Sequence, residues 1–512
     1  MGNSKTLNSV RNTFTGVFFK LVNMLFPFAI RTIILYKLGV EYLGLNTLFS
    51  SVLQVLSLSE LGFGTAVAFS MYKPIAENDV DRICALLKLL RRVYSVIGLI
   101  TLVVGLALVP FLPNLIEGEI PADVSLYALY FIYLGNAVLS YFLFAYKGIL
   151  LNANQRMDVE NVISVIVNLA MYVLQIVVLF IFQNYYVYII FLPLSTLAIN
   201  LFRSYKVKKM YPNIVCRGEV EKEYRKEIYK NIGALMGHKL SGVVIFPISN
   251  IIISAFLGLE ELATFGNYFY VVNALWGIIA IFFSAITASV GNSMIVDSLE
   301  KNYKDFKTLT FVNVWLMGFM AITLLCLFQD FIVLWVGEEY LYPIEVTVLF
   351  VFYFYLWRFK DILCTYKDAA GMWKDDFLKP YVVTIVSLVL TLLLVPRIGV
   401  IGALISGIAG FFLISMPWET HVVFKKYFKR SAINYYIRMF IYTVGVLFVG
   451  TITYFVCSFI PSGGVINLLL KGVVCAILPN VVILLLTFWM PEFKSVFNKA
   501  KNLLFRRKKT EQ

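Results

Sequence analysis

The sequence is short of charge. Only 14% of its 512 residues are Asp, Glu, Lys or Arg, while 60% are hydrophobic and the mean hydropathy is +0.81. Soluble domains carry about 25% charged and roughly 45–50% apolar residues. A soluble fold is excluded, because one of this size could not hide the excess. Long outward loops are also missing, so the outward turns leave no room for an external catalytic domain, and no catalytic residue is assigned. No Gly-x-x-x-x-Gly-Lys-Ser/Thr phosphate loop occurs, which excludes ATP hydrolysis by that route. Energy for any transport would come from an ion gradient or the membrane potential. The six cysteines (Cys84, Cys216, Cys326, Cys364, Cys457, Cys475) are scattered. No disulfide framework or metal spacing follows from them, and no cofactor is expected. The start MGNSKTLNSVRN is not a signal peptide, since the first apolar stretch is too long and lacks a small-residue cleavage site.

What is present is a succession of apolar runs, each long enough to cross a bilayer core of about 30 Å as a helix of about 20 residues. The fold class is all-α, a polytopic membrane protein of about fourteen helices. The spans are placed near 14–37, 42–68, 91–113, 124–147, 158–182, 186–204, 231–256, 264–292, 309–333, 344–366, 380–396, 399–420, 437–459 and 465–489. With the N-terminus inside, 36 of the 44 Lys and Arg fall in inward segments, and acids such as Glu117, Asp123, Glu260 and Glu338 fall in outward turns. This bias puts both termini in the cytoplasm. The basic tail FRRKKTEQ then lies against anionic lipid, and no nucleic acid partner is expected.

The chain contains an internal repeat. Leu38-Gly39-Val40-Glu41 returns as Leu257-Gly258-Leu259-Glu260, Phe26-Pro27 as Phe246-Pro247, and Tyr146-Lys147 as Tyr366-Lys367. The offsets agree, and six spans separate each pair, so both copies cross the membrane in the same direction. Parallel repeats of this kind meet around a central substrate path. The organisation expected is an N-lobe at 1–204, a basic linker at 205–230, a C-lobe at 231–424, and two further helices with a basic tail at 425–512.

Charges inside the spans are the candidate site. Arg31 sits in NMLFPFAIRTIILYKLG. Eleven residues are close to three helical turns, so Lys20 and Arg31 share a face about 16 Å apart along the axis, with Asn23 and Pro27 between them. The next span places Asn46, Ser50, Gln54, Ser57 and Glu60 on one side. Span 7 carries His238, Lys239, Ser241, Gly242, Ser249 and Asn250. Span 10 carries Arg358, Lys360 and Asp361, and Glu419 lies near the end of span 12. Arg31 is near enough to the outer end to snorkel. The shared polar face favours cavity lining, because charges within spans usually turn towards an aqueous path. Asp361 can equally pair with Arg358 or Lys360. Asp79-Val80-Asp81 has a metal-holding spacing but reads as a solvated loop.

Four stretches carry a family resemblance: YLGLNTLFSSVLQVLSLSELGFGTAVAFSMYKPIAEND, TASVGN, YKDAAGMWKDDFLKP and IGVIGALISG. They resemble Wzx-type polysaccharide transporters, the lipid-linked oligosaccharide flippases of the multidrug/oligosaccharidyl-lipid/polysaccharide exporter superfamily. The resemblance covers most of 10–425 and is nearest to the Gram-positive capsule and exopolysaccharide branch. It implies a two-lobe transporter in the bacterial cytoplasmic membrane that works by alternating access. The implied cargo is a polyprenyl-diphosphate-linked oligosaccharide, passed to a polysaccharide polymerase and assembly proteins, with H+ or Na+ as coupling cation. On this reading Arg31, Lys20, Lys239 and Arg358 hold the diphosphate, since a planar guanidinium binds phosphate bidentately. Glu60, His238, Asp361 and Glu419 balance charge or couple the ion, and Asn23, Gln54, Ser249 and Asn250 line the cavity. Ser249 departs from the family, which often has an acid in that stretch. The alternative is a multidrug exporter of the same superfamily, which favours acids over bases in its cavity.

Overall fold

The computed structural model describes residues 2–57, 63–372 and 374–498. Within these, the side chains of 2–15, 17, 65, 227, 230–244, 281–282, 284–285 and 288 lie outside the description. Eighteen α-helices carry the chain: α1 Gly2–Lys37, α2 Val40–Leu56, α3 Phe63–Glu77, α4 Val80–Leu108, α5 Leu126–Phe142, α6 Tyr146–Ala153, α7 Met157–Ile181, α8 Tyr185–Ile189, α9 Phe191–Met210, α10 Lys222–Val296, α11 Leu299–Val336, α12 Ile344–Phe359, α13 Asp361–Ala369, α14 Lys379–Ile398, α15 Val400–Gly410, α16 Met416–His421, α17 Ile433–Ser458 and α18 Val465–Thr487. No strand occurs among the described residues. In hydrocarbon every backbone N–H and C=O must find a partner within the segment, which is why apolar runs of this length become helices. Polar caps start several of them: the side chains of Asp79, Ser125, Asn184 and Ser298 accept hydrogen bonds from the first turns of α4, α5, α8 and α11.

Among the described residues, ten helices are long and apolar enough to cross a membrane, and an eleventh if α5 and α6, bent by 51°, form one span. The protein is a multi-pass, all-α membrane protein. The fourteen expected spans differ from that count for physical reasons. One span falls on α2 and α3 with 58–62 between them, another on the short pair α12 and α13, and α10 carries two. Its 75 residues are interrupted at Gly258, with φ 88° and ψ −179°. Gly39, the repeat partner of Gly258, separates α1 from α2 with φ 125°. Positive φ is open to glycine at no steric cost, so the repeated Leu-Gly marks the same turn in both copies. At Gly258 the fit is tight, since an added Cβ would lie 3.0 Å from the Glu117 carbonyl oxygen.

Internal packing divides the chain into two compact units, Met1–Asn267 with Leu388–Gly399, and Tyr268–Ser387 with Val400–Gln512. These units follow contacts, whereas the lobes expected at 1–204 and 231–424 follow the repeat. In unit 1, α1 packs along α7, α4 along α5, and α9 along α5 and α7, around a buried aromatic centre of Phe49, Tyr130, Tyr133 and Tyr185. In unit 2, α11 packs against α12, α17 and α18, with Phe306, Phe328, Phe350, Phe354 and Phe411 fully buried. The exposed surface is itself apolar, with Ile166, Ile181, Phe440 and Leu469 all more than half exposed. Lipid accepts such a surface and water does not.

Candidate functional site

In unit 1 the polar groups converge where α1 and α2 meet the segment around Gly258. Arg31 Nε donates to Asn267 Oδ1 at 2.6 Å, and its Nη2 donates to the Ala263 carbonyl at 3.0 Å. The guanidinium lies against Gly266, where an added Cβ would stand 2.8 Å from Nη2. A side chain at this position would have to push the end of Arg31 aside. Asn250 Nδ2 donates to Ser51 Oγ at 3.0 Å, and Ser51 donates back to the Thr47 carbonyl at 2.7 Å. Asn46 reaches Tyr188 at 3.4 Å, and the Tyr133 and Tyr185 hydroxyls stand 3.3 Å apart. Glu117 N donates to the Ser254 carbonyl at 2.9 Å. Hydrogen bonds and close packing thus clasp α1, α2 and the 112–117 turn to residues 250–267.

The other residues expected in this region are placed as follows. Asn23 accepts from Asn168 Nδ2 at 3.0 Å and Tyr172 Oη at 2.9 Å, so its side chain is taken up by α7. Eight residues separate it from Arg31, about 80° around a helix, and the two side chains reach different neighbours. Lys20 is exposed on α1, and Gln54 is exposed on α2. Ser249 donates to the Ile245 carbonyl of its own helix at 3.0 Å. Glu60 and the side chains of His238 and Lys239 lie outside the described residues.

Unit 2 holds a buried charge cluster at the junction of α12, α13, α14 and α16. Glu419, 1% exposed, accepts from Lys379, from Lys360 Nζ at 3.3 Å and from Cys364 Sγ at 3.3 Å. Asp376 is fully buried and accepts from Lys367 at 2.5 Å and Lys379 at 2.9 Å. Lys360 also donates to Ser415 Oγ at 2.6 Å. Two acids thus face three lysines, with half-exposed Asp368 3.9 Å from Lys367. Burial pushes the Asp376 carboxyl up, but Lys379 and Lys367 outweigh it and hold it below the usual carboxylate range. Two π-helical segments, 411–415 and 422–428, flank α16. Such segments cluster at functional positions in other helices.

Arg358 stands beside this cluster. It pairs with Asp361 at 3.4 Å, and its guanidinium lies 4.9 Å from the centre of the Trp276 ring. Asn313 donates to the Arg358 and Phe359 carbonyls at 3.2 Å each, which serves the backbone groups freed where α12 ends.

Sequence reasoning missed Lys367 and Lys379, which it counted among the inward basic residues, and Asp376, which it did not single out. Their signal was the motif YKDAAGMWKDDFLKP, whose dense charges of both signs serve poorly as a simple inward anchor. It also missed a cavity of about 430 Å3 lined by Ser140, Asn152, Glu160, Thr196, Asn200 and Arg203. There Arg203 pairs with Glu160 and donates to Asn200 Oδ1. The Asp79-Val80-Asp81 loop carries an N-cap, in which Asp79 Oδ1 accepts from Arg82 N, and a surface pair of Asp81 with Arg217 at 2.9 Å.

No protein-family profile and no curated protein sequence matches the chain. Solved structures do. The lipid II flippase MurJ in an inward closed conformation aligns at a TM-score of 0.65 and 12% identity, over 93% of this chain and 98% of MurJ. An inward-facing multidrug resistance MATE family transporter of the MOP superfamily aligns at 0.60 and 14%, over 77% of this chain and 94% of its own. A MOP superfamily transporter from Pyrococcus furiosus, described as having a binding pocket of reversed polarity, aligns at 0.51 and 13%, over 83% and 96%. The chain therefore has the fold shared by a lipid II flippase and MATE-type transporters.

Proposed function

We propose that this protein is a Wzx-type flippase of the MOP superfamily. It moves polyprenyl-diphosphate-linked oligosaccharide from the inner to the outer leaflet of a bacterial cytoplasmic membrane. The observation that carries the reading is the extent of the shared fold, 93% of this chain against 98% of a flippase of lipid-linked cargo. The chemistry agrees with it. A diphosphate bearing sugars cannot cross hydrocarbon, whereas its polyprenyl tail need never leave it. Arg31 supplies a permanently charged fork inside the span, and Lys20 and Lys239 extend the cationic path on the same unit. Arg358 is a separate anion contact, available once Asp361 releases it. Asp361 and Glu419 are held by basic partners, which favours charge balance over the exposed acid that a multidrug cation exporter needs. Glu60 and His238 are then the proposed ion-coupling groups, and the exported units go to a polysaccharide polymerase. Two six-helix lobes related by the repeat, with both termini in the cytoplasm, complete the proposal.

The test is leaflet accounting in cells lacking the gene. Lipid-linked glycans are extracted and scored for modification by a membrane-impermeant sugar reagent. Wild type should restore the outer pool. Arg31→Glu at equal expression should lower it more than tenfold, and Arg31→Lys should fall between. Full activity of Arg31→Glu would remove Arg31 from the site. Normal lipid-linked pools with altered drug sensitivity would move the protein to the multidrug class.

A further inference from the structure

Three cysteines that are far apart in sequence meet in unit 2. Cys326 comes from α11, Cys457 from the last turn of α17 and Cys475 from α18. All three are buried, and their sulfur atoms lie within 4.8 Å of one another. The Cys457 and Cys475 sulfurs are 3.9 Å apart. The expectation that no metal spacing follows from the scattered cysteines rests on distance along the chain. Spacing along the chain says nothing when each ligand comes from a different helix.

The separation is informative. A disulfide requires sulfurs at about 2.05 Å, so at 3.9 Å Cys457 and Cys475 are separate thiols. An ion at the centre of a sulfur triangle, with metal–sulfur bonds of about 2.3 Å, sets the sulfurs about 4.0 Å apart. No histidine or carboxylate joins the group among the described residues. Its surroundings are apolar, including Ile322, Val449 and Ile483. Structural Zn2+ takes four ligands, which this triad does not supply. Soft thiolates select Cu(I), an ion that accepts three-coordinate sulfur.

An ion pair lies beside the triad. Lys471, one turn before Cys475, pairs with Asp330, one turn after Cys326. Its Nζ also reaches Ser462 Oγ at 3.5 Å, and Ser462 is exposed in the turn between α17 and α18. The pair joins α11 to α18 beside the sulfurs.

We propose that Cys326, Cys457 and Cys475 form a trigonal site for Cu(I). Binding replaces three S–H protons with one Cu+, releases those protons, and changes no oxidation state. The site ties α11, α17 and α18 together and is distinct from the proposed transport groups.

The test uses the full chain, reduced and in lipid nanodiscs, offered Cu(I) as its bicinchoninate chelate. Wild type should withdraw one equivalent, and X-ray absorption should show three sulfur neighbours with no nitrogen or oxygen. Cys326→Ser, Cys457→Ser and Cys475→Ser should each reduce uptake at least tenfold, whereas Cys84→Ser with Cys216→Ser should not. The proposal is overturned by no uptake in wild type, by unchanged uptake in the triad variants, or by a Cys457–Cys475 disulfide in the protein as isolated. The wild-type absorption spectrum keeps the test valid where a variant fails to fold.

Discussion

A buried lysine is tolerable only where an acid stands against it, and Glu419 is the residue on which this balance turns. It accepts from both Lys379 and Lys360 with almost no exposure. Removing one partner of a buried pair leaves the other charge uncompensated, at a cost of about 3–5 kcal/mol. Glu419→Gln should therefore destabilise the protein by roughly that amount, read as a lower melting temperature in detergent. Adding Lys379→Met should recover part of the loss, because replacing both charges removes the desolvation burden as well. Additive losses would mean that the pair is not coupled. Arg31 differs in kind. Asn267 and Ala263 orient it by hydrogen bonds from the segment that follows Gly258.

Helices here end where glycine lets them. Gly39 and Gly258 occupy matching positions in the two repeats, but their surroundings differ. A Cβ at Gly258 would meet a backbone carbonyl, that of Glu117, whereas a Cβ at Gly39 would meet the movable end of Glu41. Positive φ with ψ near 180°, as at both glycines, costs an L-residue on the order of 1–3 kcal/mol. Both Gly39→Ala and Gly258→Ala should carry that penalty, and Gly258→Ala should exceed it, since backbone cannot step aside. Melting temperatures of the two variants decide this, and equal shifts would mean that the Glu117 contact is slack. The elements containing YKDAAGMWKDDFLKP were hardest to anticipate. Its lysines read as inward loop charges, yet Lys367 and Lys379 are buried on Asp376.

At the scale of the whole molecule, the proposed flippase function predicts that the clasp between α2 and the 250–267 segment opens during transport. Ser51 and Asn250 touch across it. A covalent link between Ser51→Cys and Asn250→Cys should abolish delivery of lipid-linked glycan to the outer leaflet. Reducing the link should restore it, while wild type treated alike should stay active. Transport that continues through the link would mean that this clasp does not open during the cycle.

Hydropathy alone determined that lipid is the solvent, that the fold is helical and roughly where the spans lie, because apolar transfer energies accumulate residue by residue along the chain. The repeated Leu-Gly turns were legible for a similar reason, since few residues other than glycine tolerate positive φ. Composition also exposed the unusual charges within the spans. Tertiary structure alone decided what those charges meet. Arg31 finds Asn267 across 236 residues, Glu419 gathers Lys379 from α14 and Lys360 from the break between α12 and α13, and the cysteines at 326, 457 and 475 meet. Sequence periodicity reports the face a side chain occupies. Which partner stands opposite depends on helix depth and rotation, and packing sets both.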